Sequence, residues 1–114
     1  MSFTVEVSDT ADAEIDRAYF RLSSRNLEFA NRWLDGVYRI IGTLDMFPLR
    51  HPHADESDIL GRETRRMIYR NGQTVYRILF TLLDADGDGE DDTVRVLRVL
   101  YGAQRPLGQP EDGE

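Results

Sequence analysis

The sequence predicts a small α+β domain, in which an N-terminal strand is followed by an antiparallel helical hairpin and then by three antiparallel strands in one mainly antiparallel sheet. Three observations predict it: a short alternating segment at the start, two helical apolar stripes, and three later runs of strand-forming residues. The 114 residues, 40% of them hydrophobic, are enough for one core and too few for two. We therefore expect a single domain over residues 1–107 and a flexible acidic tail over residues 108–114.

The N-terminal half carries the first strand and the helical hairpin. Residues 3–7 alternate apolar and polar side chains and are rich in β-branched residues, which is typical of a strand. Ser8 or Asp9 can cap the first helix, whose apolar stripe is Ala11, Ile15, Ala18 and Leu22. A polar cluster at 23–26 separates it from a second stripe that ends before Pro48 and comprises Leu27, Ala30, Leu34, Val37, Ile41 and Leu44. Trp33 has the same helical spacing, so we expect it in the core.

The C-terminal half reads as a loop followed by three strands. Residues 48–61 contain two prolines, two histidines and a glycine, which indicates a loop. Strand-like runs follow at 62–70, 74–83 and 93–101, and Asn71-Gly72 predicts a tight hairpin between the first two. In the middle run the even positions are the expected core face, namely Tyr76, Ile78, Phe80 and Leu82. The odd face is half apolar through Val75, Leu79 and Leu83, so we expect the chain's own tail or a partner segment to cover it.

The net charge of -7 hides an uneven distribution. Six of the 21 acidic residues lie in the segment 84–92 and three in the tail, so the remaining body has 12 acids against 14 cations. Every cation is arginine, and several crowd the stretch 62–77. Arginine binds phosphate or carboxylate in a bidentate manner but is a poor general base, because its pKa exceeds about 12. This stretch therefore favours binding over proton abstraction.

Several classes of site and location are disfavoured by composition. The absence of cysteine excludes disulfides, cysteine-ligated zinc and a thiol nucleophile. The apolar runs are far shorter than the ~20 residues that cross a bilayer, and the N-terminus lacks the pattern of a secretory signal. We therefore expect a cytoplasmic protein with no membrane partner, no cofactor and no specific DNA binding of its own.

The acidic segment begins like a calcium loop. Asp84, Asp86 and Asp88 follow the D-x-D-x-D-G pattern, in which alternating carboxylates surround a hard cation. The closing position holds Arg95 instead of glutamate, although Glu90, Asp91 or Asp92 could substitute for it, and the flanks read as strands. We therefore expect no bound metal, and interpret the segment as an acidic hairpin tip that discourages association between sheets.

Two further groups of residues are candidates for chemistry or binding. His51, His53 and Tyr101 could transfer protons if the protein were an enzyme. A cationic surface for RNA phosphates or for a partner's carboxylates could be formed by arginines near the strands, namely Arg65, Arg66, Arg77, Arg98 and Arg105. Tyr101 could join that surface by stacking on a base.

The sequence resembles the RelE/ParE superfamily of toxins, and in particular its ParE-like branch, over about residues 3–107. The resemblance rests on the order and spacing of several segments, which are Ala30-Asn-Arg-Trp-Leu, Leu44-Asp-Met-Phe-Pro48, Gly61-Arg-Glu-Thr-Arg65, Val75-Tyr-Arg-Ile-Leu-Phe80 and Val94 to Ala103 leading to Arg105. It implies the toxin of a type II toxin-antitoxin (plasmid stabilisation) module, which inhibits a host target such as DNA gyrase and is neutralised by a cognate antitoxin.

The resemblance leaves the chemistry open. RelE-like members are ribosome-dependent mRNA endoribonucleases that rely on basic side chains, whereas this chain has no lysine and carries Tyr101 where many relatives have histidine. The alternatives are therefore a nuclease of RelE type and a decayed toxin that only binds antitoxin. As a hypothesis, we expect the antitoxin or target contact at Arg65, Arg77, Arg98, Tyr101 and Arg105.

Overall fold

The computed structural model describes residues 2–102, without the side chains of residues 58 and 59. The predictions for Arg105 and for the tail at 108–114 lie outside these residues. The elements in chain order are β1 (Thr4–Val7), α1 (Asp9–Ser23), α2 (Leu27–Gly42), a one-turn helix α3 (Ser57–Leu60), β2 (Arg65–Asn71), β3 (Thr74–Leu83) and β4 (Thr93–Tyr101). The predicted α+β class and order of the main elements are confirmed.

The four strands form one sheet in the order β1-β4-β3-β2. β2 and β3 form the predicted hairpin, and β3 pairs antiparallel with β4. β1 pairs with β4 in parallel at the edge of the sheet, although the helices, β2 and β3 separate these two strands in the chain. The sheet is thus mainly antiparallel, with one parallel edge.

Both helices begin at the polar residues that the sequence suggests. The side chain of Ser8 accepts a hydrogen bond from the N–H of Ala11, and that of Asn26 accepts one from Phe29. Their apolar stripes pack on one face of the sheet, where the fully buried Trp33 lies against Tyr76 with ring centroids 5.1 Å apart. This helix-covered face holds the main core.

Several predicted boundaries are wrong. α2 ends at Gly42, because Thr43–Asp45 tightens into a 3-10 turn and Phe47 adopts a left-handed conformation, before a second 3-10 turn at Pro48–Arg50. β1 begins one residue later than predicted, at Thr4. β2 begins three residues later, at Arg65, because the Ser57 hydroxyl bonds the backbone N–H and C=O of Thr64 and holds the preceding residues in a loop.

A bulge at Leu97 decides which residues of β4 face the core. Phe80 pairs with Val96, whereas the adjacent Leu79 pairs with Arg98, so Leu97 has no partner on β3. Val96 and Val99 therefore both lie in the main core although they are three residues apart. Within residues 2–102, no helix is long and apolar enough to cross a membrane.

Candidate partner-binding surface

The face of the sheet opposite the helices, here called the second face, is partly covered by the chain itself. Residues 54–64, which we call the strap, lie between the 3-10 turns and β2. Leu79 and Leu100 point to the second face, are almost fully buried, and cluster with Ala54 and Leu60 of the strap. The cover was predicted to come from the tail or from a partner, and over Leu79 and Leu100 this is wrong, because a segment read as a plain loop supplies it.

Arg77 lies on the second face beneath the strap. Its Nη1 donates to Oε2 of Glu56 over 2.6 Å, and the Glu56 side chain is fully buried. Among the described residues, Oε1 of Glu56 and Nη2 of Arg77 have no hydrogen-bond partner. The guanidinium therefore serves to hold a buried carboxylate, and only 14% of the Arg77 side chain is exposed.

Three residues of β2 form the accessible part of the second face. Met67 and Tyr69 of this strand point into the main core, so the residues between and after them, Ile68 and Arg70, point to the second face, as does Arg66. Ile68 is 38% exposed and Arg70 is exposed. Among the described side chains, which exclude those of residues 58 and 59, the guanidiniums of Arg66 and Arg70 take part in no ion pair. We call Arg66, Ile68 and Arg70 the β2 stripe.

The β2 stripe also lies on an edge strand. Residues 52–54 pair only with the beginning of β2, through the Arg66 N–H to Pro52 C=O bond and the His53–Arg65 bridge. In the described part of the chain, no strand pairs with the outer side of β2 beyond this point. Backbone N–H and C=O groups on that side can therefore accept a further strand.

Arg65 lies on the helix-covered side, opposite Phe80, and fastens the segment that precedes the strap. Its Nη1 donates to the carbonyl oxygens of His51 at 2.7 Å and Leu49 at 3.3 Å, and its Nη2 lies 3.3 Å from Oε1 of Glu63. Only 15% of its side chain is exposed. Arg65 thus stabilises the turn that leads into the strap.

Arg98 lies near the end of β4, where the strand extends beyond its pairing with β1. β1 ends at Val7, opposite Val96, so the Val99 N–H has no strand partner on that side. Glu14 of α1 fills the place, because its Oε1 accepts from Val99 at 2.8 Å while its Oε2 accepts from Nε and Nη2 of Arg98 at 2.8 and 2.6 Å. Arg98 therefore balances a carboxylate that closes the sheet edge.

Tyr101 lies on the helix-covered side at the end of β4. Its ring packs edge-on against Tyr76 with centroids 5.4 Å apart, and the Arg21 guanidinium lies over it at 5.9 Å. Arg21 also donates to the Tyr76 hydroxyl over 2.6 Å, and burial raises the pKa of Tyr76. Tyr101 itself is 42% exposed. The structure thus does not bring the predicted contact residues together: Arg77 is on one face, Arg65 and Tyr101 on the other, and Arg98 at the edge.

The predicted proton-transfer residues are also separated. The His51 ring packs edge-on against Phe80, and burial, together with the nearby Arg50 charge, lowers its pKa. Nε2 of His53 is 2.9 Å from Oε1 of Glu63, and this contact lowers the Glu63 pKa. Tyr101 contacts Tyr76, which is four residues from Phe80 along β3, or about 13 Å at the usual rise per residue. His51 and Tyr101 therefore do not share a site.

The acidic segment folds around its own carboxylates. Side-chain oxygens of Asp84, Asp86, Asp88 and Asp92 lie within 4.8 Å of one another. Asp84 accepts hydrogen bonds from the N–H groups of Gly87, Asp88 and Gly89, and the bond from Gly89 is the main reason that its pKa is lowered. The fourth carboxylate comes from Asp92, whereas the calcium-loop pattern looks for it at position 95.

The sequence matches one family model over most of its length. The family model described as "ParE toxin of type II toxin-antitoxin system, parDE" matches residues 5–106. The chain belongs to the ParE toxin family. This confirms the ParE-like resemblance, and membership of a toxin-antitoxin family implies a cognate antitoxin as partner.

A solved structure supports the fold of this ParE family member. The chain is similar to a chain of the "Chromosomal ParDE TA system from P. aeruginosa", with a TM-score of 0.65 and 13% sequence identity, over 88% of this chain and 96% of that one. At this identity the likeness supports the fold alone. No curated protein matches the sequence.

Sequence reasoning missed the role of the β2 stripe. It places Arg66 in the candidate cationic surface but keeps only Arg65 and Arg77 of this stretch in the expected contact set, and it does not consider Arg70 for either. The signal that separates them is the alternation around Met67 and Tyr69: these apolar residues take the core side, so Arg66 and Arg70 must take the other side.

Proposed function

We propose that this ParE family member is the toxin of a type II toxin-antitoxin pair, which inhibits a host target such as DNA gyrase and is held inactive by its cognate antitoxin. The observation that carries the proposal is the family match over residues 5–106. The accessible β2 stripe adds a surface suited to a protein partner.

The proposed antitoxin contact is the β2 stripe. Alternate residues on one side of a strand are about 6.6 Å apart, so Arg66, Ile68 and Arg70 present cation, apolar group and cation at regular spacing. An extended segment with acidic residues flanking an apolar one matches this order. Pairing with the open edge of β2 would add backbone hydrogen bonds to the two charge contacts.

This placement changes the contact set expected from the sequence. Arg65, Arg77 and Arg98 are each engaged with a carboxylate of the same chain, so we assign them a structural role. Tyr101 is exposed at the far end of β4 and stays a candidate for target contact, while Arg105 lies outside the described residues.

The geometry gives less support to a nuclease of RelE type. Such chemistry needs groups that exchange protons on both sides of one phosphodiester. His51 packs against the core, His53 is bonded to Glu63, and Tyr101 lies at the other end of β3. An inhibitor that binds its target without catalysis requires no such arrangement.

Induced expression separates the alternatives. We expect growth arrest with accumulation of gyrase-linked cleaved DNA, and rescue when the antitoxin gene is expressed with the toxin gene. Rapid codon-linked cleavage of mRNA would instead identify a nuclease. Normal growth with intact antitoxin binding would identify a decayed toxin.

The antitoxin contact is tested with charge reversal at Arg66, which is half-buried, and at Arg70, which is exposed. Arg66→Glu and Arg70→Glu should weaken antitoxin binding by about tenfold or more each, since each replaces a charge-assisted contact with like-charge repulsion. Arg25→Glu is the matched control, because Arg25 is exposed in the turn between α1 and α2. Equal affinity of all three variants would refute the assignment, provided that their thermal unfolding matches the parent.

A further inference from the structure

A small cavity lies at the end of the sheet where β2 begins and β3 ends. It has a volume of about 170 Å³ and is lined by Phe3, Leu49, Glu63, Arg65, Thr81, Leu82 and Asp91. Phe3, Leu49 and Leu82 make its lining largely apolar. A cavity of about 150 Å³ accommodates a benzene ring, so this one has room for a single apolar side chain from outside the chain.

Two further exposed apolar residues precede Leu49 closely in the chain. Leu49, which lines the cavity, is 60% exposed, and the neighbouring Phe47 and Met46 are 71% and 42% exposed. Phe47 also has a φ of 52°, a left-handed conformation that costs a residue with a side chain about 1 to 2 kcal/mol. The fold therefore holds a large aromatic ring in water on a strained backbone, where burial by a partner would recover free energy.

The surroundings of the cavity are acidic. Asp91 belongs to the segment 84–92, which has six acidic residues and no cation. Arg65 also lines the cavity, but its guanidinium is already paired with Glu63. Arg50 is the cation next to Leu49, and its Nη1 is bonded to the Met46 carbonyl oxygen. Arg50 keeps its charge, but the six acidic residues of the segment 84–92 outnumber it, so the net charge at this end of the sheet is negative.

We propose that this acidic end of the sheet is a second docking surface, which binds a basic segment of a partner protein by inserting one apolar side chain between Phe3, Leu49 and Leu82. The flanking basic residues of the partner meet Asp91 and the rest of the acidic segment. Its charge is opposite to that of the β2 stripe, so an acidic antitoxin segment does not fit it. The proposal goes beyond the antitoxin contact and does not depend on it.

The location supports two separate partners. The cavity is lined by Thr81 and Leu82 near the C-terminal end of β3, whereas the β2 stripe pairs with residues 75–79 of that strand. Arg65 lines the cavity and directly precedes Arg66 of the stripe, but Arg65 and Leu82 take the helix-covered side whereas the stripe takes the second face. The two places therefore present different sides of the sheet to a partner. Charge complementarity of this kind mainly sets partner choice and association rate, and salt screens it.

The proposal is tested by fluorescence anisotropy with the full-length chain in a buffer that contains a chelator. The probe is a fluorescein-labelled peptide that has one phenylalanine flanked on both sides by lysines. Two control peptides replace the phenylalanine by serine or the lysines by glutamates. The protein variants are Leu49→Ser, Phe47→Gly and the pair Glu90→Gln with Asp91→Asn, and the controls are Phe20→Ser and Asp35→Asn, which alter exposed residues on α1 and α2.

We expect saturable binding of the probe that weakens with salt and falls at least about tenfold in the Leu49 variant and in the acidic double variant. The control variants should bind as the parent does. Phe47→Gly keeps the proposal testable if Leu49→Ser does not fold. No binding by the parent, equal binding of the serine peptide, equal binding of the glutamate peptide, or unchanged affinity in the folded Leu49 and Phe47 variants would each overturn the proposal.

Discussion

Arg77 and Glu56 form an ion pair between β3 and the strap, with Nη1 of the arginine 2.6 Å from Oε2 of the glutamate. The carboxylate is fully buried and has one oxygen without a hydrogen-bond partner among the described residues. Its attraction to Arg77 offsets the cost of removing it from water. The pair therefore acts together with the apolar contacts of Ala54 and Leu60 to hold the strap on Leu79 and Leu100.

Removing one partner of this pair should lower the free energy of unfolding far more than replacing both partners. Arg77→Met leaves Glu56 buried without a counter-charge, so we expect the free energy of unfolding to fall by about 3 to 5 kcal/mol at neutral pH. The double variant Arg77→Met with Glu56→Leu removes both charges and should recover most of that loss. Urea denaturation of the two variants and the parent measures the difference.

Glu6→Gln is the control for this pair, because the side chains of Glu6 and of its partner Arg95 are 43% and 41% exposed and its removal leaves no buried charge. It should alter the unfolding midpoint only slightly. Equal destabilisation in the single and double variants at Arg77 would show that the strap is held by its apolar contacts and that the ion pair is dispensable.

The main elements could be predicted from the sequence, but the strap could not. Alternation in β3, the apolar stripe of α2 and the Asn71-Gly72 turn are local signals, and each produced the expected element. The strap has no periodicity. The strap covers the second face through Ala54 and through contacts between segments that are distant in the chain. From the sequence alone, an acidic residue such as Glu56 is expected to be exposed, because its partner Arg77 is brought to it only by the fold.

Phe47→Gly should stabilise the protein. Phe47 has a φ of 52° and its ring is mostly exposed, so glycine removes backbone strain while little buried apolar area is lost. We expect a gain of about 1 kcal/mol in the free energy of unfolding, measured by thermal and urea denaturation. Phe47→Ala is the matched control, because it shortens the side chain and keeps the strain. A gain of the same size with alanine would show that exposure of the ring, and not the backbone, is responsible.

Replacing Gly36 or Gly42 of α2 by alanine should change the free energy of unfolding in opposite directions. A Cβ at Gly36 would lie 2.0 Å from the Tyr69 hydroxyl, which donates to the Trp33 carbonyl oxygen, whereas a Cβ at Gly42 meets nothing within 4 Å. Gly36→Ala should therefore cost about 1 to 3 kcal/mol through displacement of Tyr69. Gly42→Ala should gain up to about 1 kcal/mol from helix propensity.

Urea denaturation of both glycine variants gives the signs directly, and near-UV circular dichroism reports whether the environment of Tyr69 and Trp33 has changed. Stabilisation by Gly36→Ala would mean that Tyr69 moves aside without loss, which would contradict the close packing of α2 on β2.

The binding surface could be predicted only in part, because the sequence does not show which arginines form ion pairs within the chain. The sequence shows that arginines crowd β2 and β3, and alternation assigns Arg66 and Arg70 to the second face. It does not show which guanidiniums are already used. Arg77 is 21 residues from Glu56, and Arg98 is 84 residues from Glu14, so these pairs exist only through the fold.

His51 should make stability depend on pH just below neutrality. Burial is the main cause of its lowered pKa and the Arg50 charge adds to it, so the folded state takes up a proton less readily than the unfolded chain, whose histidine has a pKa near 6.5. The unfolded state therefore binds more protons as the pH falls through that value, and the free energy of unfolding should decrease from pH 7 towards the folded pKa. Glu63 acts in a lower range, because its lowered pKa stabilises the fold above about pH 4.5 and that stabilisation is lost on further acidification. Urea denaturation between pH 7.5 and 5.5 should thus show a slope that His51→Gln removes, and an NMR titration of the imidazole should place the folded pKa below 6.5. A slope that persists in the variant, or a titration at or above the ordinary value, would contradict the burial of His51 against Phe80.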